Sequence, residues 1–401
     1  MAVRSAYALG LHVRNEDPSA TAAQRETLVR MWWGLYSLKQ TLAIVTGYPS
    51  MIMDPCCSVP LPIPVPEEQI LDGMESAYGM CNGGASSTSM NQGWSDDVIE
   101  HPCTLVGLET MEANSGSFLK ATAQLSIITQ SILTSLYSAA YMAKSAGEVQ
   151  KSMAQLEQCL DGWVLSLPME FNFQGPVNGA SMTFARERML LGFHCCSARI
   201  LLARPCFDVQ RQAWREGNET SLARRIGNSC IEAAKTVVNF LPDEPSSPFI
   251  YDQGPWWCIV HHMMQAVSVF LFSFSYPSST SQDSILLIHY VKKVLRWLRA
   301  MHDPVAERAY YVTMSSFESA LKRYPVDVSH MWRMNAVQGR EVRQNPDTGM
   351  TADPHTRLVQ LAVPDDTAMA TYAAYDAGMT GVMFSAYDGT SRSSEFRHMR
   401  E

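Results

Sequence analysis

One pattern recurs from about residue 22 to residue 324: some twenty residues of hydrophobics at helical spacing, then a proline or glycine stop. In the first block Leu28, Met31/Trp32, Leu35/Tyr36, Leu38 and Leu42/Val45 recur every three to four residues, Thr21 is placed to cap the start, and Gly47-Tyr48-Pro49 ends it. Leu125, Ile128, Ile132, Leu136 and Ala139 repeat the pattern within 118–145. Leu156, Leu160, Trp163 and Leu167 do so within 148–167, where Pro168 follows. Further blocks span 183–203 up to Arg204-Pro205, 220–241 up to Pro242 and Pro245, 256–276, 283–302, and 305–324 up to Pro325. Residues 1–14 read as a helix end, with Ala2, Ala6 and Leu9 on one face and Gly10 as its stop. No stretch alternates with the period of a strand, so the expected fold is all-α, with about nine helices.

Between and after these blocks the periodicity lapses. Pro55, Pro60, Pro62, Pro64 and Pro66 force an extended segment. Residues 76–102 are rich in Gly, Ser and Asn and read as a flexible insertion. Beyond about Asn335 periodic hydrophobics give way to Gly, Asp, Ser, Thr and Met. The expected organisation is one helical domain over 1–330 and a disordered tail over 331–401.

Composition narrows the function. Hydrophobic residues make up 46% of the 401, enough for a large core, while charged residues are only 17%. The net charge of −8 argues against direct nucleic-acid binding, which needs clustered cations. The basic groups Arg186/Arg188, Arg224/Arg225 and Lys292/Lys293/Arg296/Arg299 are expected to be solvated helix faces. The ten cysteines include Cys56-Cys57 and Cys195-Cys196 but no CxxC, so free thiols in a reducing compartment are expected and no zinc finger can be built. Residues 256–276 carry no formal charge and are long enough to span a bilayer, yet they hold His261, His262 and Gln265 and lack flanking cations. A buried helix is the expectation.

No GxSxG, GxGxxG or Walker-type loop occurs. His261 and His262 diverge by about 100° on a helix and so do not share a metal. His194, Cys195 and Cys196 lie within a helix, with no orienting acid nearby, and are expected in the core rather than as a nucleophile pair. Trp32 is expected in the core and Trp33 against a neighbouring loop, since adjacent indoles face different sides of a helix. Asp96/Asp97 and Asp365/Asp366 are expected to be solvated.

Several ordered motifs carry a resemblance. Ala6, Leu9, Gly10, Leu11 and His12 form an A-x-x-L-G-L-H helix end, and Glu26, Arg30, Trp32, Trp33, Leu35, Tyr36 and Leu38 form a tryptophan-rich helix. Gly47 and Pro49 follow, then Asp54 in an acidic loop, and Val59-Pro60-Leu61-Pro62 as a proline-rich exit. Leu160, Trp163 and Leu167-Pro168, and later Leu201-Leu202-Ala203-Arg204-Pro205, complete the set. Together they resemble the regulatory middle-homology domain of fungal binuclear zinc-cluster transcription factors.

The resemblance implies a transcription regulator acting on RNA polymerase II genes in the nucleus, and no enzyme. It implies work through a protein partner or a DNA-bound complex, and in some members a response to a small-molecule effector. The Met263-Met264 segment would suit the wall of an effector cavity. The sequence departs from the family where arginines are replaced by Leu28 and Val29, and at Lys39, Tyr48 and Cys56, so any ion pair joining the helix to the acidic loop should be weakened. The six-cysteine cluster that opens the family's DNA-binding module has no counterpart here, so no metal, cofactor or direct nucleic-acid contact is expected in this chain, which is either partner-dependent or a truncated product. An all-α fungal secondary-metabolism enzyme and a membrane-associated protein are the alternatives.

Overall fold

Thr21 accepts a hydrogen bond from the Gln24 backbone N–H, and the Gln24 side chain returns one from the Thr21 N–H. This capping box satisfies two donors that a helix start leaves orphaned. The helix it opens, α2 (Ala22–Thr46), ends at Gly47, whose φ of 69° is left-handed and free of penalty only for glycine. A computed structural model describes residues 2–47, 52, 54–70, 112–138, 144–175, 183–216, 221–274 and 281–321. Among these residues there are ten α-helices with described bounds, a further helical stretch at 67–70, one short 3-10 turn at Asp54–Cys56, and no strand, so the all-α fold stands. The insertion at 76–102, the tail at 331–401, Tyr48 and Pro49 lie outside the described residues.

Helix α1 (Ala2–Ala8) precedes α2. It closes with Leu11 N–H donating to the Ala6 carbonyl and Gly10 N–H to that of Tyr7, the Schellman pattern, with Gly10 at φ 69°. The expected apolar face of Ala2, Ala6 and Leu9 forms only at Ala6. Leu9 is 73% exposed because the turn at Gly10 points it outward, and Val3, Tyr7 and Leu11 pack instead. After the strap of prolines come α3 (Ser115–Tyr137), α4 (Ala146–Ser166), α5 (Ala185–Glu216), α6 (Ser221–Asn239), α7 (Ser247–Gln253), α8 (Trp256–Ser273), α9 (Ser281–Ala300) and α10 (Pro304–Leu321).

Three expectations need correction: the helix expected over 118–145 ends at Tyr137, where Ser138 turns extended. Helix α5 does not stop at Pro205 but runs through it to Glu216. A proline inside a helix removes one backbone donor and kinks the helix without always ending it. Helix α7 sits in the stretch between Pro245 and Pro255, too short to show a period.

The main core runs through α3 to α10. Its axis is α8, which packs against α2, α5, α6, α7, α9 and α10. Residues 258–270, 272 and 273 are all buried. An element apolar all round belongs at the centre of a helical array, and among the described residues no helix is long and apolar enough to cross a membrane. Ser268 and Ser273 return their hydroxyls to the carbonyls of Met264 and Val269, which satisfies polar groups there. Met263 and Met264 are core residues and do not border the cleft described below.

The basic groups are not all solvated. Arg188 is buried and donates to the Gly175 carbonyl, Lys293 is buried against Asp243, and Arg225 pairs with Glu157. These cations fasten helices to their neighbours. Cys56, Cys57, Cys195, Cys196, Cys230 and Cys258 are in no disulfide, whereas Cys159 is disulfide-bonded.

Candidate functional site

The prolines at 60, 62, 64 and 66 strip the strap of half its backbone donors, so its carbonyls must find donors elsewhere. Helix α2 supplies them from one face. Trp33 Nε1 donates to the Pro60 carbonyl at 2.7 Å. One Arg30 amino group donates to the carbonyls of Ile63 at 3.1 Å and Val65 at 2.7 Å. Glu26 Oε1 accepts from Arg30 Nε at 2.9 Å and from the Ile63 N–H at 3.0 Å. At 1% exposure Glu26 is among the most buried charged groups of the fold. Burial raises its carboxyl above the usual range, and the bonds from Arg30 and Ile63 pull it partly back.

Further along α2 the Tyr36 hydroxyl donates to Asp54 Oδ1 at 3.1 Å. Burial lifts the Asp54 carboxyl from 3.8 to about 6, against the lowering by that hydrogen bond. Burial likewise drives the Tyr36 phenol well up and the Cys57 thiol to about 12. The opposite end of the strap is held by α3. Asn114, its cap, donates from Nδ2 to the Pro64 carbonyl, and Gly116 lies so close to the strap that a methyl there would collide with the Val65 carbonyl oxygen.

The structure thus brings together Glu26, Arg30, Trp33, Asp54, Pro60 and the backbone beyond Pro62. Leu61 packs partly buried beside them. Gly47 ends α2 and does not touch the strap's hydrogen bonds; Pro49 lies outside the described residues. Trp32 is fully buried beneath, edge-on to Tyr7 and tilted to His12. Despite Leu28, Val29 and Lys39, helix and loop remain joined, because Arg30 grips backbone carbonyls and Tyr36 grips Asp54. No ion pair between helix and loop is required.

The face of α2 differs from expectation in part. Val29, Trp32, Trp33, Tyr36, Gln40 and Ala43 are buried, while Met31, Leu38 and Leu42 are exposed. The two tryptophans shift the buried stripe by about one position.

A small cleft opens where α2, α3, α5 and α8 meet. It is lined by Gln40, Thr41 and Ile44 of α2, Thr122 and Thr129 of α3, His194 and Ser197 of α5, and His262 of α8. There is room for little more than a water molecule. Three metal-capable donors converge beside it: His194 and His262, which line the cleft, and Cys258 behind them place one ligand atom each within 4.8 Å of the others. Burial lowers His194 to about 4 and His262 well below the usual imidazole range, so both rings are neutral near pH 7. Sequence reasoning missed this set. Cys258 and His262 stand four residues apart, one helical turn, a signal available in the sequence; their approach to His194 came only with the packing of α5 on α8.

The described helices form an array clamped at its N-terminal edge by a proline strap. Residues 1–167, which contain the whole clamp, match the fungal specific transcription factor domain. The transcription regulator galc of Aspergillus niger is 25% identical over 366 residues, 82% of this chain and 44% of its own length. An uncharacterised transcriptional regulatory protein of Schizosaccharomyces pombe is 36% identical over 70 residues, 18% of this chain and 9% of its own. The thiamine repressible genes regulatory protein thi1 of the same yeast is 33% identical over a stretch of the same size. The chain spans less than half the length of these relatives. No solved structure matches it. The family's six-cysteine zinc cluster does not fit the described residues, whose free thiols are scattered over the Asp54 loop, the strap and three helices.

Proposed function

We propose that this chain is the regulatory part of a nuclear transcription regulator, acting on RNA polymerase II genes through a protein partner or a DNA-bound complex and catalysing no reaction. The observation that carries the reading is the clamp: Glu26, Arg30 and Trp33 hold a strap whose prolines leave carbonyls in need of donors, and this unit lies within the matched residues 1–167. The relatives are named as transcription regulators, and two of them align over only 70 residues. The cleft, with room for little more than a water molecule, is too small for an organic substrate or effector unless the helices part.

The test is tethering. Fused to a DNA-binding module of known operator in a fungal host, the full chain should change reporter transcription and collect in the nucleus. A reporter indistinguishable from the module alone, with the fusion expressed and folded, would sink the proposal.

A further inference from the structure

We propose that His194, Cys258 and His262 form a binding site for a transition-metal ion of the zinc class, bridging α5 and α8 beside the cleft. The proposal goes beyond the regulatory reading and departs from the expectation that this chain holds no metal of its own.

The geometry comes first. Cys258 Sγ lies 3.3 Å from His262 Nε2, one turn apart on α8. Two ligands of one tetrahedral zinc ion, at bond lengths of about 2.0–2.3 Å, stand roughly 3.5 Å apart. The pair therefore already has the bite of a chelate. His194 reaches it from a different helix, with the three donor atoms within 4.8 Å of one another. A rotation of its side chain, which is only partly buried, brings the third ligand in.

A second, independent observation is the polar surface around these donors. Gln40 Nε2 and Ser197 Oγ are buried without a hydrogen-bond partner, and both residues line the same cleft. Buried polar atoms are nearly always bonded, so a cluster of orphans marks a place where water or a ligand belongs. The room at the cleft suits one water, the fourth ligand of a three-residue zinc site. Such a water would offer Gln40 and Ser197 the partner they lack. Core packing accounts for a lone buried cysteine or histidine; it does not account for three convergent donors ringed by unpaired polar atoms.

The donor set fixes the class of ion. Two imidazoles and a thiol suit zinc and its soft or borderline neighbours, whereas magnesium and calcium need oxygen ligands. Binding is without redox change: the Cys258 thiol proton leaves to solvent as the sulfur becomes a ligand. The entry route is the cleft mouth at His194.

The experiment uses the full chain, stripped with chelator and titrated with cobalt(II), then with zinc. The expected result is one equivalent of cobalt, a thiolate-to-cobalt charge-transfer band, and displacement of cobalt by zinc. Cys258→Ser should abolish the band. His194→Ala, the variant least able to disturb the core, should weaken zinc binding at least about tenfold, as losses in a metal site do, with an unchanged circular dichroism spectrum. Cys56→Ser, an exposed thiol that does not line the cleft, should behave as the parent. Binding below one equivalent by the parent chain, a band that survives Cys258→Ser, or a band lost in Cys56→Ser would each overturn the proposal. None of these outcomes depends on reporter activity, so they stand apart from the tethering test.

Discussion

Asp54 carries the clearest pH signature in the clamp. Its carboxyl binds a proton more tightly in the folded chain, at about 6, than at the ordinary 3.8. A folded state that holds the proton more tightly loses stability as pH rises through the interval between those values. Asp54→Asn keeps an oxygen to accept from Tyr36 and removes the buried charge. The urea midpoint of the parent should therefore fall between pH 4 and pH 6 relative to Asp54→Asn, by roughly 1–2 kcal/mol on conversion. A difference that is flat with pH would contradict the assignment. Trp32 is the other residue whose role is sharply defined, at 0% exposure, edge-on to Tyr7 and tilted to His12. Trp32→Ala should cost about 3–5 kcal/mol, read as a lower melting temperature. Its role and that of Trp33 were legible from adjacency alone, because neighbours on a helix face different sides. The metal-capable trio was not, since His194 lies on a helix distant in sequence from Cys258.

At the scale of elements, the join between strap and helices decides whether the N-terminal edge holds. Gly116 opens α3 against the Val65 backbone, where no side chain fits. Gly116→Ala should cost about 2–3 kcal/mol through overpacking and expose the strap to protease at Val65. Unchanged cleavage and melting would show that the strap tolerates displacement. The capping box of α2 contributes on a smaller scale. Thr21→Ala should lower stability by about 1 kcal/mol, measured by urea unfolding. Helix positions were legible because Thr21, Gly47, Pro168 and Pro242 punctuate them. Pro205 misled because a proline inside a helix costs one backbone donor without always ending the helix, and α7 was too short to display a period.

Across the whole molecule, two cores share one helix. The smaller core gathers Ala6, Val29, Trp32, Trp33, Tyr36 and Val59, and takes Ala123 and Ile127 from α3. The same helix gives Leu125, Ile128, Ile132 and Leu136 to the main core. A rigid element buried on both faces couples the two sides. Trp32→Ala in the small core and Phe270→Ala in the main core should thus lower one common transition, with tryptophan fluorescence and far-ultraviolet dichroism coinciding. Two separated transitions would mean that the clamp folds apart from the bundle.

The amino-acid sequence by itself determined the helical class, most helix boundaries, the extended course of the proline strap and the family motifs, because these depend on local periodicity, caps and missing backbone donors. Only the tertiary structure decided which face of α2 is buried, that Arg30 grips carbonyls rather than an acid, that Arg188 and Lys293 are inside, and that His194 meets Cys258 and His262. Those facts depend on the angle and register at which helices distant in sequence come together, and no local spacing encodes that.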